Sequence, residues 1–183
     1  LHGEALSCNI TSPFLVIDIG GATADIHFST DLTVGRYSEN IFDRLVFKKL
    51  GVAKSKKSLL FVSKNNEYMY ELLQHLNIAE DIYDINNKAY GKNELMQMSL
   101  FLILCKVSKL NDEHPSLQLG KVNELVITGG AAITLGGAEI YRVIEFFNSI
   151  LMDVEFTPNI VIDNKYVIWT QGIDNLIGMG KYA

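Results

Sequence analysis

Phe14-Leu-Val-Ile-Asp-Ile-Gly-Gly-Ala-Thr-Ala-Asp-Ile-His-Phe-Ser29 is the stretch whose reading decides the fold. Its four leading apolar residues read as a buried strand, and Asp18 sits where that strand ends. Gly20 and Gly21 follow, where the backbone can approach a phosphate with no Cβ in the way. Thr23 adds a hydroxyl, and Asp25 places a second carboxylate at the start of a new apolar run. A strand, a glycine turn and a returning strand, carrying two acids and a hydroxyl, suit a phosphate with its metal ion. A dinucleotide loop needs Gly-x-Gly-x-x-Gly running into a helix, and a P-loop needs Lys-Ser or Lys-Thr after its glycines. Neither pattern is present.

Working outward, Asp25 to Thr30 alternates Ile26 and Phe28 with His27 and Ser29, which predicts a second strand antiparallel to the first. Leu32 to Tyr37 reads as a third strand. Ile41 to Leu50 has apolar residues at 41, 42, 45, 46, 47 and 50, a helical repeat stopped by Gly51. Residues 52 to 64 are rich in Lys and Ser and read as a loop. Asn66 to Leu76 and Glu94 to Leu110 read as helices, and Asn111 to Gly120, with Pro115, as a connection. Glu124-Leu-Val-Ile-Thr-Gly-Gly130 then repeats the logic of the opening motif, a short apolar strand running into paired glycines. Ala138 to Leu151 reads as a helix, Asn159 to Asp163 as a strand and Tyr166 to Met179 as a final helix. This order predicts an α/β domain whose sheet mixes parallel and antiparallel strands and is flanked by helices.

The bulk numbers agree with one domain spanning residues 1 to 183, with a core of ordinary size. Hydrophobic content of 48% and charged content of 20% fit a globular protein. A net charge of −5 argues against a general nucleic-acid surface. The cluster Lys54-Ser-Lys56-Lys57 reads as a solvated loop. No segment reaches the roughly 18 apolar residues that a membrane span requires. Cys8 and Cys105 lie far apart without a Cys-x-x-Cys pattern, which points to a reduced, cytoplasmic protein. Leu1 in place of Met suggests a piece of a longer chain.

Asp18-Ile-Gly-Gly-Ala-Thr-Ala-Asp25 resembles the second phosphate motif of the actin, Hsp70 and sugar-kinase superfamily, and Val126-Ile-Thr-Gly-Gly-Ala-Ala-Ile133 resembles its adenosine motif. They stand about a hundred residues apart, in the order of that superfamily's second lobe. Within it, Asp-Ile-Gly-Gly-Ala-Thr followed by Asp25-Ile-His is most similar to the glutamate mutase accessory proteins, the MutL-type reactivating factors. Arg36-Tyr-Ser-Glu39 and Val161-Ile-Asp-Asn-Lys-Tyr-Val-Ile168 match other segments of that family. Ala24 stands where the family usually has Thr, and residues 52 to 115 match nothing in it.

The resemblance implies a ribonuclease-H-like domain forming the ATP-binding second lobe of an actin-like ATPase. It implies Asp18 as a Mg²⁺ ligand, acting through water because Mg²⁺ keeps its hydration shell. Gly20, Gly21 and Ala22 would offer backbone N–H groups to the β- and γ-phosphates, and Thr23 a hydroxyl. Asp25 would orient the attacking water, since phosphoryl transfer mainly needs positioning. Gly129, Gly130 and Ala131 would let adenine and ribose lie against the backbone. The bland alternatives are a turn-capping acid at Asp18, a strand-start acid at Asp25 and ordinary turns at both glycine pairs. The superfamily's first lobe carries its own Asp-x-Gly loop, whereas this chain contains a single Asp-Ile-Gly. By resemblance, the partners are therefore ATP, a first lobe of the same protein and an adenosylcobalamin-dependent mutase that keeps the cobalamin. A filament-forming actin-like protein and a small-molecule kinase of the same superfamily are the alternative functions.

Overall fold

The computed structural model describes residues 13–33, 42–81, 87–108, 116–151 and 154–165. Five strands form one sheet: β1 (Phe14–Ile19), β2 (Ala24–Ser29), β3 (Phe42–Phe47), β4 (Glu124–Thr128) and β5 (Asn159–Ile162), in the order β3-β2-β1-β4-β5. β1 pairs antiparallel with β2 and parallel with β4, β2 pairs antiparallel with β3, and β4 pairs parallel with β5. Only β2 therefore runs against the rest. This order and orientation are those expected of a ribonuclease-H-like sheet.

The helices are α1 (Lys56–Lys64), α2 (Met69–His75), α3 (Lys92–Val107), α4 (Gly129–Thr134) and α5 (Gly137–Ile150). Two of them start the same way: Glu94 accepts from the Gly91 N–H at 2.9 Å, and Glu139 accepts from the Gly136 N–H. Each carboxylate satisfies a donor that a helix start leaves without a partner. Asn77, at φ 55°, turns the chain out of α2 in the left-handed conformation that Asn tolerates. No helix among the described residues is long and apolar enough to cross a membrane.

Side-chain alternation divides the sheet's work. Leu15, Ile17, Ile19, Ala24, Ile26, Phe28, Leu125 and Ile127 face the main core, where the helices pack. α3 lies at its centre, with twelve of its sixteen residues buried, which is why it is apolar all round. Phe101, Phe147 and Phe156 meet there edge to face, with ring centroids 6.2 to 6.4 Å apart. The opposite face carries a smaller apolar cluster of Phe14, Val16 and Val126 with Phe42 against it.

Three sequence expectations need correction. Residues 42–47 of the segment read as a helix form strand β3, in register from Ala24↔Phe47 to Ser29↔Phe42. Its apolar residues meet the i, i+4 rule only by coincidence. The outer edge of β2 needed a hydrogen-bonding partner, and Phe, Val and Leu suit a strand there. Leu32 to Tyr37 does not open as a strand, since 30–32 form a single 3₁₀ turn and Thr33 makes one bridge to Leu117; 34–37 lie outside the described residues. The expected loop at 52–64 contains α1, which buries Leu59 and Ser63 and packs Leu60 and Val62 against the core, an apolar run set among lysines and serines. The final helix expected at 166–179 lies outside the described residues. Helices α2, α3 and α5 and strands β1, β2, β4 and β5 fall within a few residues of expectation, whereas the short helix α4 was not expected.

Candidate functional site at the carboxyl end of the parallel strands

The turn between β1 and β2 is held from below. The Gly20 N–H donates to the Thr23 carbonyl at 2.9 Å, closing the turn. The carbonyls of Gly20 and Gly21 accept from Val52 and Ala53 at 3.1 and 2.8 Å, and Ser55 Oγ donates to the Ala22 carbonyl at 2.6 Å. Gly51 makes this strap possible: a Cβ there would lie 2.6 Å from the Ala22 oxygen and 2.7 Å from the Thr23 nitrogen. Gly51 was expected to stop a helix, yet its role is to let two backbone segments touch. Tying down three carbonyls fixes the peptide planes of the turn, while Gly21 and Ala22 stay exposed. Of the three N–H groups assigned to phosphate, that of Gly20 is spent inside the turn.

Asp18 and Asp25 are direct cross-strand partners on β1 and β2. They share the face opposite the main core, by the same alternation that buries Ile17 and Ile26. Like charges placed opposite each other on neighbouring strands repel, and the surroundings of Asp25 offset this. Thr23 Oγ1 donates to its Oδ2 at 3.0 Å, while Arg44, from β3, donates to its Oδ1 from Nε at 3.0 Å and from Nη2. The Thr23 hydroxyl, expected to face a phosphate, is thus bonded to Asp25. Arg44 was missed because residues 41–50 were read with a helical period. Read with a period of two, Phe42, Arg44 and Val46 fall on the face of Asp25.

The second glycine pair meets the first at the same edge. β4 ends at Thr128, opposite Asp18, and α4 begins at Gly129. Gly129 has φ 69°, and a Cβ there would overlap Asp18 Oδ1 and stand 2.8 Å from its Cγ. A Cβ on Gly130 would lie 3.0 Å from the Ile19 carbonyl oxygen and 3.1 Å from Met96 Cε. Both glycines therefore have a packing role against the end of β1. Ala131 is fully buried in the main core, so its side chain presents no surface to a purine; Ile133, 63% exposed, is the apolar residue that α4 leaves outside. Beyond, the buried Thr128 Oγ1 donates to Asp163 Oδ2 at 3.2 Å.

The fold thus gathers Asp18, the Gly20–Thr23 turn, Asp25, Gly129 and Gly130 at one edge of the sheet. Open α/β sheets take their ligands outside the carboxyl ends of their strands. His27 shares the acidic face and is nearly buried, which suits a structural histidine. Trp169 and Gln171 lie outside the described residues. Among the described residues no group of three or more His, Cys, Asp or Glu could hold a metal ion directly. Two carboxylates without a closed ligand cage fit a hydrated Mg²⁺, which uses one or two carboxylates and otherwise water and phosphate.

No family profile and no curated protein sequence matches the chain. Among solved structures it is similar to the activator of 2-hydroxyisocaproyl-CoA dehydratase from Clostridium difficile, a structure with bound ADPNP. The identity is 14% and the TM-score 0.41, over 98% of this chain and 67% of that one. It is also similar to component A of (R)-2-hydroxyglutaryl-CoA dehydratase from Acidaminococcus fermentans, with 12% identity and a TM-score of 0.41, over 94% of this chain and 63% of that one. The chain spans about two thirds of the length of these structures.

Proposed function

We propose that this chain is the nucleotide-binding second lobe of an actin-like ATPase. The observation that carries the reading is the meeting of two glycine turns at one sheet edge, with paired carboxylates beside them. In this reading Gly21 and Ala22 donate to phosphate, and Gly129 and Gly130 carry the sugar and base. Asp18 holds the hydrated Mg²⁺, whose charge offsets that of the phosphates. Asp25 accepts a hydrogen bond from the attacking water, so the chain's contribution to hydrolysis is position and charge. A first lobe closes the other side and excludes solvent.

At the level of the whole protein, the motif resemblance supports an ATP-dependent reactivating factor for an adenosylcobalamin-dependent mutase, of the glutamate mutase type. Lobe movement on hydrolysis would open the mutase so that damaged cobalamin can exchange. Calorimetry with Mg-ATP tests the lobe assignment. The isolated chain is expected to bind weakly and turn over negligibly, since one side of the triphosphate stays in water. Sub-micromolar binding by this chain alone overturns the half-clamp. At the next level, ATP-dependent recovery of a cobalamin-inactivated mutase separates a reactivating factor from a filament former, which would sediment with ATP.

A further inference from the structure

Arg44 pairs with Asp25, one of the two facing carboxylates, and neither motif contains it. Its backbone register partner is His27, and that of Asp25 is Val46, so the side chain reaches diagonally toward the carboxyl end of β1. Long side chains make such diagonal contacts across a sheet. Two N–H groups of the guanidinium converge on one oxygen, Asp25 Oδ1, while Thr23 supplies a single hydrogen bond to Oδ2. A carboxylate oxygen accepts about two hydrogen bonds. Oδ1 is therefore filled, and Oδ2 keeps one acceptor site.

We infer that Arg44 is a positioning residue for ATP hydrolysis, holding Asp25 by Oδ1 so that Oδ2 is the oxygen that accepts from the attacking water. This rests on the ATPase reading above. In the reaction the water oxygen bonds to the γ-phosphorus. The bond to the β–γ bridging oxygen breaks, its electron pair leaves on ADP, and the water's protons end on the phosphate product and in solvent. Asp25 needs no proton of its own, which suits a carboxylate already bonded to a guanidinium. Arg44 also offsets the repulsion between the facing carboxylates, but with its side chain 57% exposed that contribution to folding is modest. Lys would supply charge without the fork that converges on one oxygen.

Single-turnover and steady-state hydrolysis by the full-length protein test this with Arg44→Gln, Arg44→Lys, Asp25→Asn and the Arg44→Gln, Asp25→Asn double variant. Thermal unfolding checks that each variant is folded. Arg44→Gln is expected to lower kcat about tenfold with KM for ATP nearly unchanged, the signature of an interaction used only in the reaction. Arg44→Lys should recover part of that loss. The double variant should be no slower than Asp25→Asn alone, because both substitutions disable one unit. If Arg44→Gln keeps its kcat, or raises KM alone, while Asp25→Asn is slow, the role of Arg44 is overturned and the ATPase reading stands. If Asp25→Asn is as fast as the unaltered protein, Asp25 does not hold the attacking water and the role of Arg44 falls with it; if the unaltered protein hydrolyses no ATP, the ATPase reading itself falls.

Discussion

The Asp18 carboxylate occupies the space that a side chain on residue 129 would need, and Gly129 meets it at φ 69°. The acid of the first motif and the glycine of the second are thus one packed unit, joined across β1 and β4. A two-residue glycine pattern could have been two unrelated turns. Here each end of the unit constrains the other.

Gly129→Ala should destabilise the fold by about 1–3 kcal/mol, because it combines a left-handed backbone with direct overlap on Asp18. Urea or thermal unfolding measures this. Gly137→Ala is the control, since nothing lies within 4 Å of a Cβ there. It should be neutral or stabilise by up to about 1 kcal/mol, through a less flexible unfolded chain. Equal effects at both positions would mean that Asp18 and Gly129 do not constrain each other.

The strap under the phosphate turn can be loosened without touching any proposed ligand contact. Ser55 Oγ lies 2.6 Å from the Ala22 carbonyl and 3.0 Å from that of Lys48. Ser55→Ala should cost about 1 kcal/mol of stability and weaken Mg-ATP binding. Gly51→Ala should do more on both counts, since its Cβ would meet backbone that is slow to yield. Titration of each folded variant with Mg-ATP is the check, and unchanged affinity would mean the turn does not serve the nucleotide.

Asp18 and Asp25 should separate by role in the full-length protein. Asp18→Asn is expected to raise KM and lower turnover together, having removed a contact made with bound Mg-nucleotide. Asp25→Asn is expected to lower mainly kcat. Steady-state kinetics at fixed free Mg²⁺ distinguish the two patterns. Identical behaviour of both variants would leave the assignment of separate roles without support.

Burial pushes the Cys105 thiol from its usual 9.0 up to about 12. At neutral pH it is a protonated thiol with little nucleophilic character, so alkylation should proceed only as fast as the helix opens. The unfolded chain loses this proton from about pH 9 upward, while the folded one holds it to about pH 12. The unfolded state therefore gains stability as pH rises through that window, and folding weakens. Denaturant unfolding at pH 8 and pH 10 should show a steeper decline for the natural chain than for Cys105→Ala.

Phe14–Ile19 and Glu124–Thr128 were legible because a short apolar run ending in paired glycines suits little besides a buried strand entering a tight turn. The α/β class followed from them. Lys92–Val107 was legible as a helix through its length and its broad apolar face, which already pointed to burial. β3 was not legible. Six residues of mixed polarity fit both periods, and the choice between them was made by the open edge of β2, which lies elsewhere in the sequence.

By itself, then, the sequence determined the two motifs, their order and the chemistry that Asp18, Asp25 and the glycines can offer. Local backbone preference and the need to bury apolar runs suffice for that much. Only the tertiary structure decided that Gly20 spends its N–H inside the turn, that Gly51 and Ser55 hold that turn, that Ala131 faces the core, and that Arg44 meets Asp25. Each of these is a contact between residues distant in the chain, or an orientation fixed by one. Such pairings are set by the register of the sheet and the packing of the strap, which no local pattern encodes.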